Sequence, residues 1–275
     1  MIYWVVAMPC EARAIIDELE LKRRNLPCRF EIYESPADKT PASALVVSGI
    51  GSRNAEVATA FLAGLYSPIQ KEDLLINIGI CGTCDAEVST GQAFQCVRLS
   101  EDARTGDHRE KSIYPKWRRE LNFQAAGLKT AEHIVREEVL AAGKQALQHS
   151  LYDMEGYHVL HTAEIFFMPD QMLCIKVVSD HLKDALQITP EKVTELMRPT
   201  VGILKEYVRK NQTVEAKTED HTIQRDGRIN FAVDYYKASV GMTAEIRALD
   251  CYVELLCEKD SKKAEDWWRL QWAGC

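Results

Sequence analysis

A chain of 275 residues with 46% hydrophobic side chains is long enough to bury a sizeable core and fits one large domain plus an appendage. Its net charge of −7 and its pI near 5.6, with no Lys/Arg cluster interleaved with aromatics, argue against nucleic acid as a partner and leave a small molecule as the expected ligand. The nine cysteines are odd in number and fall on apparent core strands (Cys81, Cys96, Cys174) and helices (Cys251, Cys257), which predicts reduced thiols in a cytoplasm and no disulfide framework.

The first eight residues are apolar, but the run is too short for a secretory segment, lacks a basic leader and meets Glu11 and Arg13. It reads as strand Ile2 to Met8, and no membrane partner is expected. Pro9 then opens a helix in which Ala12, Ile15, Ile16 and Leu19 follow the spacing of one buried face, with Glu11 in its first turn. Strands near Arg29 to Tyr33 and Ala44 to Val47 lead into Gly49-Ile50-Gly51, followed by a helix through Val57, Ala60, Phe61 and Leu65. Leu74 to Ile80 is a buried strand and Gly91 to Leu99 another. Ser100 to Trp117 is polar and without period, and reads as a loop or lid. A short strand at Gly127 to Thr130 precedes Ile134-Val135 and a helix over 136–149. Glu155 opens a helix carrying Val159, Leu160, Ala163, Phe166 and Phe167 on one side.

Met172 to Val178 is a buried strand that ends in Ser179-Asp180. Thr189 and Pro190 start the next helix by a capping hydroxyl and a preset φ, and Pro199 is expected to kink it. Alternating strands and helices predict a three-layer α/β/α domain over 1–209. Residues 211–226 are polar and read as a linker within a helical extension, 210–275. There Met242, Ile246, Leu249, Val253 and Leu256 form a narrow helical seam suited to another helix, either of the main domain or of a second subunit.

Two pairs stand where an apolar run meets a polar break: Met154-Glu155, inside Asp153-Met154-Glu155-Gly156, and Ser179-Asp180. In open α/β sheets the carboxyl ends of strands are where ligands bind. With Val6-Ala7-Met8-Pro9-Cys10-Glu11, Ser48-Gly49-Ile50-Gly51 and Asn77-Ile78-Gly79-Ile80-Cys81-Gly82, these motifs resemble, in order and spacing, the purine nucleoside phosphorylase and methylthioadenosine/adenosylhomocysteine nucleosidase superfamily. The resemblance covers roughly residues 1–209 and leaves the last quarter unexplained. It implies a mixed, partly barrel-like central sheet, a small-molecule nucleoside as ligand, no metal or organic cofactor, and a homo-oligomer.

The chemistry so implied is cleavage of the N-glycosidic bond of a purine or 5′-modified purine nucleoside. Positive charge building on the sugar and negative charge building on the base both need stabilising, and carboxyl groups serve both needs. Asp180 is the candidate general acid at the base, provided that burial raises its proton affinity. Ser179 orients it or bonds the base. Glu155 binds the ribose hydroxyls and Met154 packs on the ribose face. The resemblance aligns Glu11 with the glutamate that activates water, and puts the base near Gly79 and Val135. Phosphate as nucleophile would demand a cationic clamp. The hexameric phosphorylases carry Arg and Ser where this chain has Asn77 and Ile80, so water is favoured. Arg13 and Arg53 keep phosphate open as a co-substrate, and Ile80 departs from the Ser of both branches.

Plainer readings stand beside these. An acid in a first helical turn is stabilised by the helix dipole by about 0.3–1 kcal/mol, with no function required. Cys81 and Cys84 have redox or zinc spacing but no second ligand pair. His158 and His161 form half a metal site at most. The glycines do not make GxGxxG after a strand, so no nicotinamide cofactor is expected. Asp107, His108, Arg109 and Tyr114 could reach a 5′ substituent if their stretch closes as a lid. A nucleoside-binding protein without turnover is the rival from another class, and a Cys81/Cys84 thiol-redox protein a third reading.

Overall fold

The computed structural model describes residues 1–36, 42–101, 112–116, 121–135, 150–182 and 188–215. The chain divides into two units, Met1–Lys217 and Thr218–Cys275, and all described residues belong to the first. The expected helix over 136–149, the seam over 242–256, and Asp107, His108 and Arg109 lie outside the described residues.

Strands β1 (Ile2–Val6), β2 (Lys22–Arg24), β3 (Glu31–Glu34), β4 (Ser43–Val47), β5 (Leu74–Thr83), β6 (Ala93–Glu101), β7 (Ser112–Ile113), β8 (Gln124–Thr130), β9 (Ser150–Asp153) and β10 (Met172–Asp180) form one sheet. Helices α1 (Pro9–Leu19), α2 (Ser52–Leu65), α3 (Gly156–Ala163) and α4 (Pro190–Glu215) flank it. The sheet is mixed: β1 runs parallel to β4 and β5, and β5 parallel to β10, whereas β6 lies antiparallel to β10 and β9 antiparallel to β5.

Both faces of the centre are covered. Tyr3 and Val5 point into one core with Ala55, Ala58 and Leu62 of α2 and Leu160 of α3. Ile2, Trp4 and Val6 point into the other with Ala12 and Ile15 of α1 and Met197, Val201 and Leu204 of α4. A strand buried on both sides needs no polar alternation, which is why β1 reads as an unbroken apolar run. The three-layer expectation holds. The barrel-like expectation also holds: β5 pairs with β10, β10 with β6, β6 with β8, β8 with β9, and β9 returns to the far end of β5.

Two local expectations change. α4 continues to Glu215, so residues 211–215, read as linker from their polarity, are helical; good helix formers such as Gln212 and Glu215 extend a helix at low apolar content. Pro199, where a kink is expected, lies inside α4. In α2, Val57 is 51% exposed, and the buried positions are Ala55, Ala58, Thr59, Leu62 and Ala63.

Candidate functional site

Glu11 occupies the third position of α1, just beyond the carboxyl end of β1, and is 2% exposed. Its Oε2 accepts the Ala7 and Met8 amides, each at 2.9 Å, and its Oε1 accepts the Ile80 amide at 2.9 Å. The first two bonds are what a first-turn acid makes for its own helix. The third is not local, since it ties the carboxyl to β5. Gly79 makes that approach possible, because a Cβ there would stand 2.7 Å from Glu11 Oε1. Burial raises the carboxyl's proton affinity, while Lys176 and the three amides oppose the rise.

Lys176 carries the charge at the centre of this arrangement. It lies in β10 opposite Gly79, is 2% exposed, and its Nζ meets Asp153 Oδ2 at 2.8 Å. Burial works against the ammonium, but Asp153 chiefly, with Glu11 further off, more than restores it, so Lys176 stays protonated. Asp153 is held in turn: Oδ1 accepts Thr130 Oγ1 at 2.6 Å and Oδ2 accepts the Gly156 amide at 2.7 Å. Gly156 has the role that Gly79 has for Glu11, since a Cβ on it would lie 2.8 Å from Asp153 Oδ2.

Glu155 precedes α3 and stands beside the same group. Its Oε1 accepts the Gly51 amide at 2.6 Å, and Gly51 turns that amide outward with a φ of 98° that glycine adopts without strain. Burial and the neighbouring Asp153 push the Glu155 carboxyl up to about 7, against the pull of the Gly51 bond and Lys176. Glu11, Asp153 and Glu155 therefore surround one ammonium. Three negative charges cannot share it cheaply away from water, so the proton affinities of Glu11 and Glu155 rise.

Asp180 ends β10 beside Gly82. Its Oδ1 lies 3.2 Å from where a Cβ on Gly82 would stand, so it and Glu11 overhang the same strand three residues apart, roughly 10 Å along it. Burial chiefly, then Asp153 and Asp180, raise the proton affinity of the Cys81 thiol, and Lys176 opposes the rise. Asp180 itself is part-buried, whereas Glu11 is fully enclosed. Its Oδ1 accepts the Leu182 amide at 2.8 Å and its Oδ2 the Ser179 hydroxyl at 2.7 Å. Ser179 Oγ is also 3.1 Å from the Cys81 carbonyl, but with one proton it donates to the nearer acceptor.

The remaining candidates separate. Met154 is part-buried next to Glu155, and Val135 is buried in a small cluster with Ala131, Tyr152 and Leu182. Asn77 donates to the Val5 carbonyl at 3.1 Å and joins strands rather than lining the site. Arg13 is 67% exposed and paired with Asp17 at 3.0 Å, and Arg53 is exposed. Cys81 is buried with its thiol pushed well up by burial, while Cys84 is exposed; a raised, buried thiol is a poor nucleophile and does not suit a redox pair. His158 is buried, with Nδ1 at 2.9 Å from Glu56 and Nε2 at 3.6 Å from Glu101. His161 stacks on Tyr157 at 5.4 Å. No group of three metal-ligating side chains occurs among the described residues.

Lys176 and Asp153 are the members of the site that motif reading missed. A lysine inside the apolar run Met172 to Val178 was the available signal, because a charge in a doubly buried strand has to be paired.

The fold is shared with solved structures. The 5′-methylthioadenosine/S-adenosylhomocysteine nucleosidase of Helicobacter pylori, with 5′-methylthioadenosine in its active site, matches with a TM-score of 0.61 at 14% identity over 76% of this chain and 98% of that one. The Campylobacter jejuni nucleosidase of the same name gives 0.62 at 15% over 76% and 98%. The futalosine hydrolase of Helicobacter pylori gives 0.60 at 13% over 76% and 97%. This chain has the nucleosidase fold. No family model and no curated protein sequence matches it, so the likeness carries the architecture, and the chemistry has to be argued from the side chains just described. No helix among the described residues is long and apolar enough to cross a membrane.

Proposed function

We propose that this chain is an enzyme that cleaves the N-glycosidic bond of a purine or 5′-modified purine nucleoside, with water as the nucleophile. The observation that carries the reading is the convergence of Glu11, Asp153 and Glu155 on the buried Lys176 ammonium, with Asp180 further along β5. As the C1′–N9 bond lengthens, charge moves from sugar to base. Glu155 meets the ribose hydroxyls, and its bonds to them strengthen as the sugar becomes cationic. Met154 packs on the ribose, and Gly79 and Val135 lie by the base. Glu11 takes a proton from the attacking water, whose oxygen bonds C1′. Asp180, oriented by Ser179, delivers a proton to the leaving base. Backbone amides and Lys176 help keep Glu11 able to act as the base.

Two observations favour water over phosphate. Arg13 is exposed and engaged by Asp17, and the solved neighbours named above are nucleosidases and a hydrolase. Proton transfers among carboxyls, water and base need no metal or organic cofactor. We place the reaction in the cytoplasm, in a homo-oligomer. Incubation with adenosine, inosine, methylthioadenosine and futalosine, with and without phosphate, tests the reading: base release without phosphate is expected. Release only with phosphate would make the chain a phosphorylase, and tight binding with no release would end the enzymatic reading.

A further inference from the structure

Gly82 leaves a bare stretch of backbone at the carboxyl end of β5, beneath Asp180. That stretch is covered. A methyl placed on Gly82 would strike Leu182 Cδ2 and would lie 3.2 Å from Asp180 Oδ1, so the leucine and the acid meet above the same glycine. Leu182 reaches this position with a φ of 64°, a left-handed conformation that residues with a Cβ adopt at a cost and that gathers at switch points. Its amide holds Asp180 Oδ1 at 2.8 Å. Its side chain is 5% exposed yet belongs to neither large core; its partners are Ala131, Val135 and Tyr152.

These are the surfaces a planar heterocycle would use. A ring bonded to Asp180 lies about 2.8 Å from its carboxyl oxygen, and it needs an apolar wall and a floor without a Cβ. Val135 and Tyr152 offer the wall, Gly82 offers the floor, and Leu182 covers both. We propose that the Leu182 side chain fills the base subsite of the ligand-free chain, so that a heterocycle reaches Asp180 only by displacing it. The inference rests on Asp180 being the group that meets the base. Leaving the left-handed region is favourable for leucine itself, and the same motion frees Asp180 Oδ1. Apparent affinity is then the intrinsic affinity reduced by the fraction of chains with the leucine out.

Leu182→Gly accepts the left-handed backbone and deletes only the side chain. Leu182→Ala deletes it with the strain kept. Leu182→Val keeps bulk but, being β-branched, resists that backbone and vacates the subsite by conformational preference. Adenine binding by calorimetry and KM for adenosine and methylthioadenosine are measured for wild type and all three. Adenine affinity is expected to rise about tenfold, the gain when a state populated one time in ten becomes the ground state, and KM to fall in step. Unchanged or weaker adenine binding in the folded variants overturns the proposal, because the leucine is then a wall of the subsite or stands apart from it. If no form cleaves a nucleoside but adenine binds the variants more tightly, the proposed reaction fails and the displaced leucine stands. Cleavage by every form with unaltered adenine affinity keeps the reaction and removes the leucine from the base subsite.

Discussion

Replacing Lys176 by methionine removes the ammonium that Asp153 meets at 2.8 Å and leaves a buried carboxylate with only the Thr130 hydroxyl and the Gly156 amide. A broken buried pair of this kind costs about 3–5 kcal/mol, whereas removing both charges is often close to neutral. Lys176→Met is therefore expected to lower the unfolding free energy in urea by that amount, and Lys176→Met with Asp153→Asn to recover most of it. Additive losses in the double variant would show that the two side chains do not act as a pair. Glu155 supplies a prediction in pH. Its carboxyl is pushed from 4.5 to about 7, so between these values the folded chain holds a proton that the unfolded chain has released. That stabilisation is complete below pH 4.5 and is lost as pH rises through about 7, following the linkage between proton binding and unfolding. Glu155→Gln should flatten the fall in unfolding free energy across this window, and a slope that survives the substitution would assign it elsewhere. At this scale the sequence showed Glu11, Glu155, Ser179 and Asp180, because each sits where an element starts or ends. It did not show that Asp180 is part-buried while Glu11 is fully enclosed, since enclosure comes from elements distant in the chain.

α1 fixes Glu11, and α4 fixes α1. Thr194 Oγ1 donates to the Cys10 carbonyl at 2.7 Å, Arg198 meets Asp17 at 2.8 Å, and Lys205 meets Glu18 at 2.9 Å. Beneath these contacts Met197, Val201 and Leu204 are fully buried against the α1 side of the sheet. The apolar contacts should dominate: Met197→Ala is expected to cost about 2–5 kcal/mol, while Arg198→Ala, which breaks a half-exposed ion pair, should cost under about 1 kcal/mol. Urea unfolding of the two variants decides the order, and an Arg198→Ala loss equal to that of Met197→Ala would contradict it. The bounds of α1 were legible from Pro9 and the apolar spacing. The strand β9 was not, because four residues are too few to show a period. The face of α2 was not legible, because apolarity favours Val57 over alanine, whereas close packing of α2 on the sheet and α3 selects the small Ala55, Ala58 and Ala63. β2, with Lys22, Arg23 and Arg24, lacks any apolar signal; charge on such an edge strand discourages pairing with another chain.

Closure of β5, β10, β6, β8 and β9 into a ring depends on which strands meet, and no local pattern reports that. The alternation of strands and helices conveyed the layers, while curvature came only from resemblance. The long β5 performs the closure by changing neighbours: Leu74 to Asn77 face β1, and Gly82 and Thr83 face β9. Glu11 and Asp180 overhang the second half of that strand, so ring and site form together. Among the described residues, one core ends with Val178 of β10 and the other with Leu204 and Tyr207 of α4. The Helicobacter pylori nucleosidase is matched over 98% of its length by 76% of this chain, which leaves little of the fold for the rest to supply. A chain ended after Lys217, the boundary between the two units, is therefore expected to unfold cooperatively in urea with the midpoint of the full chain and to release base from the same nucleosides. Loss of cooperativity would show that residues beyond 217 complete the core. Cooperative unfolding without base release would show instead that they complete the site.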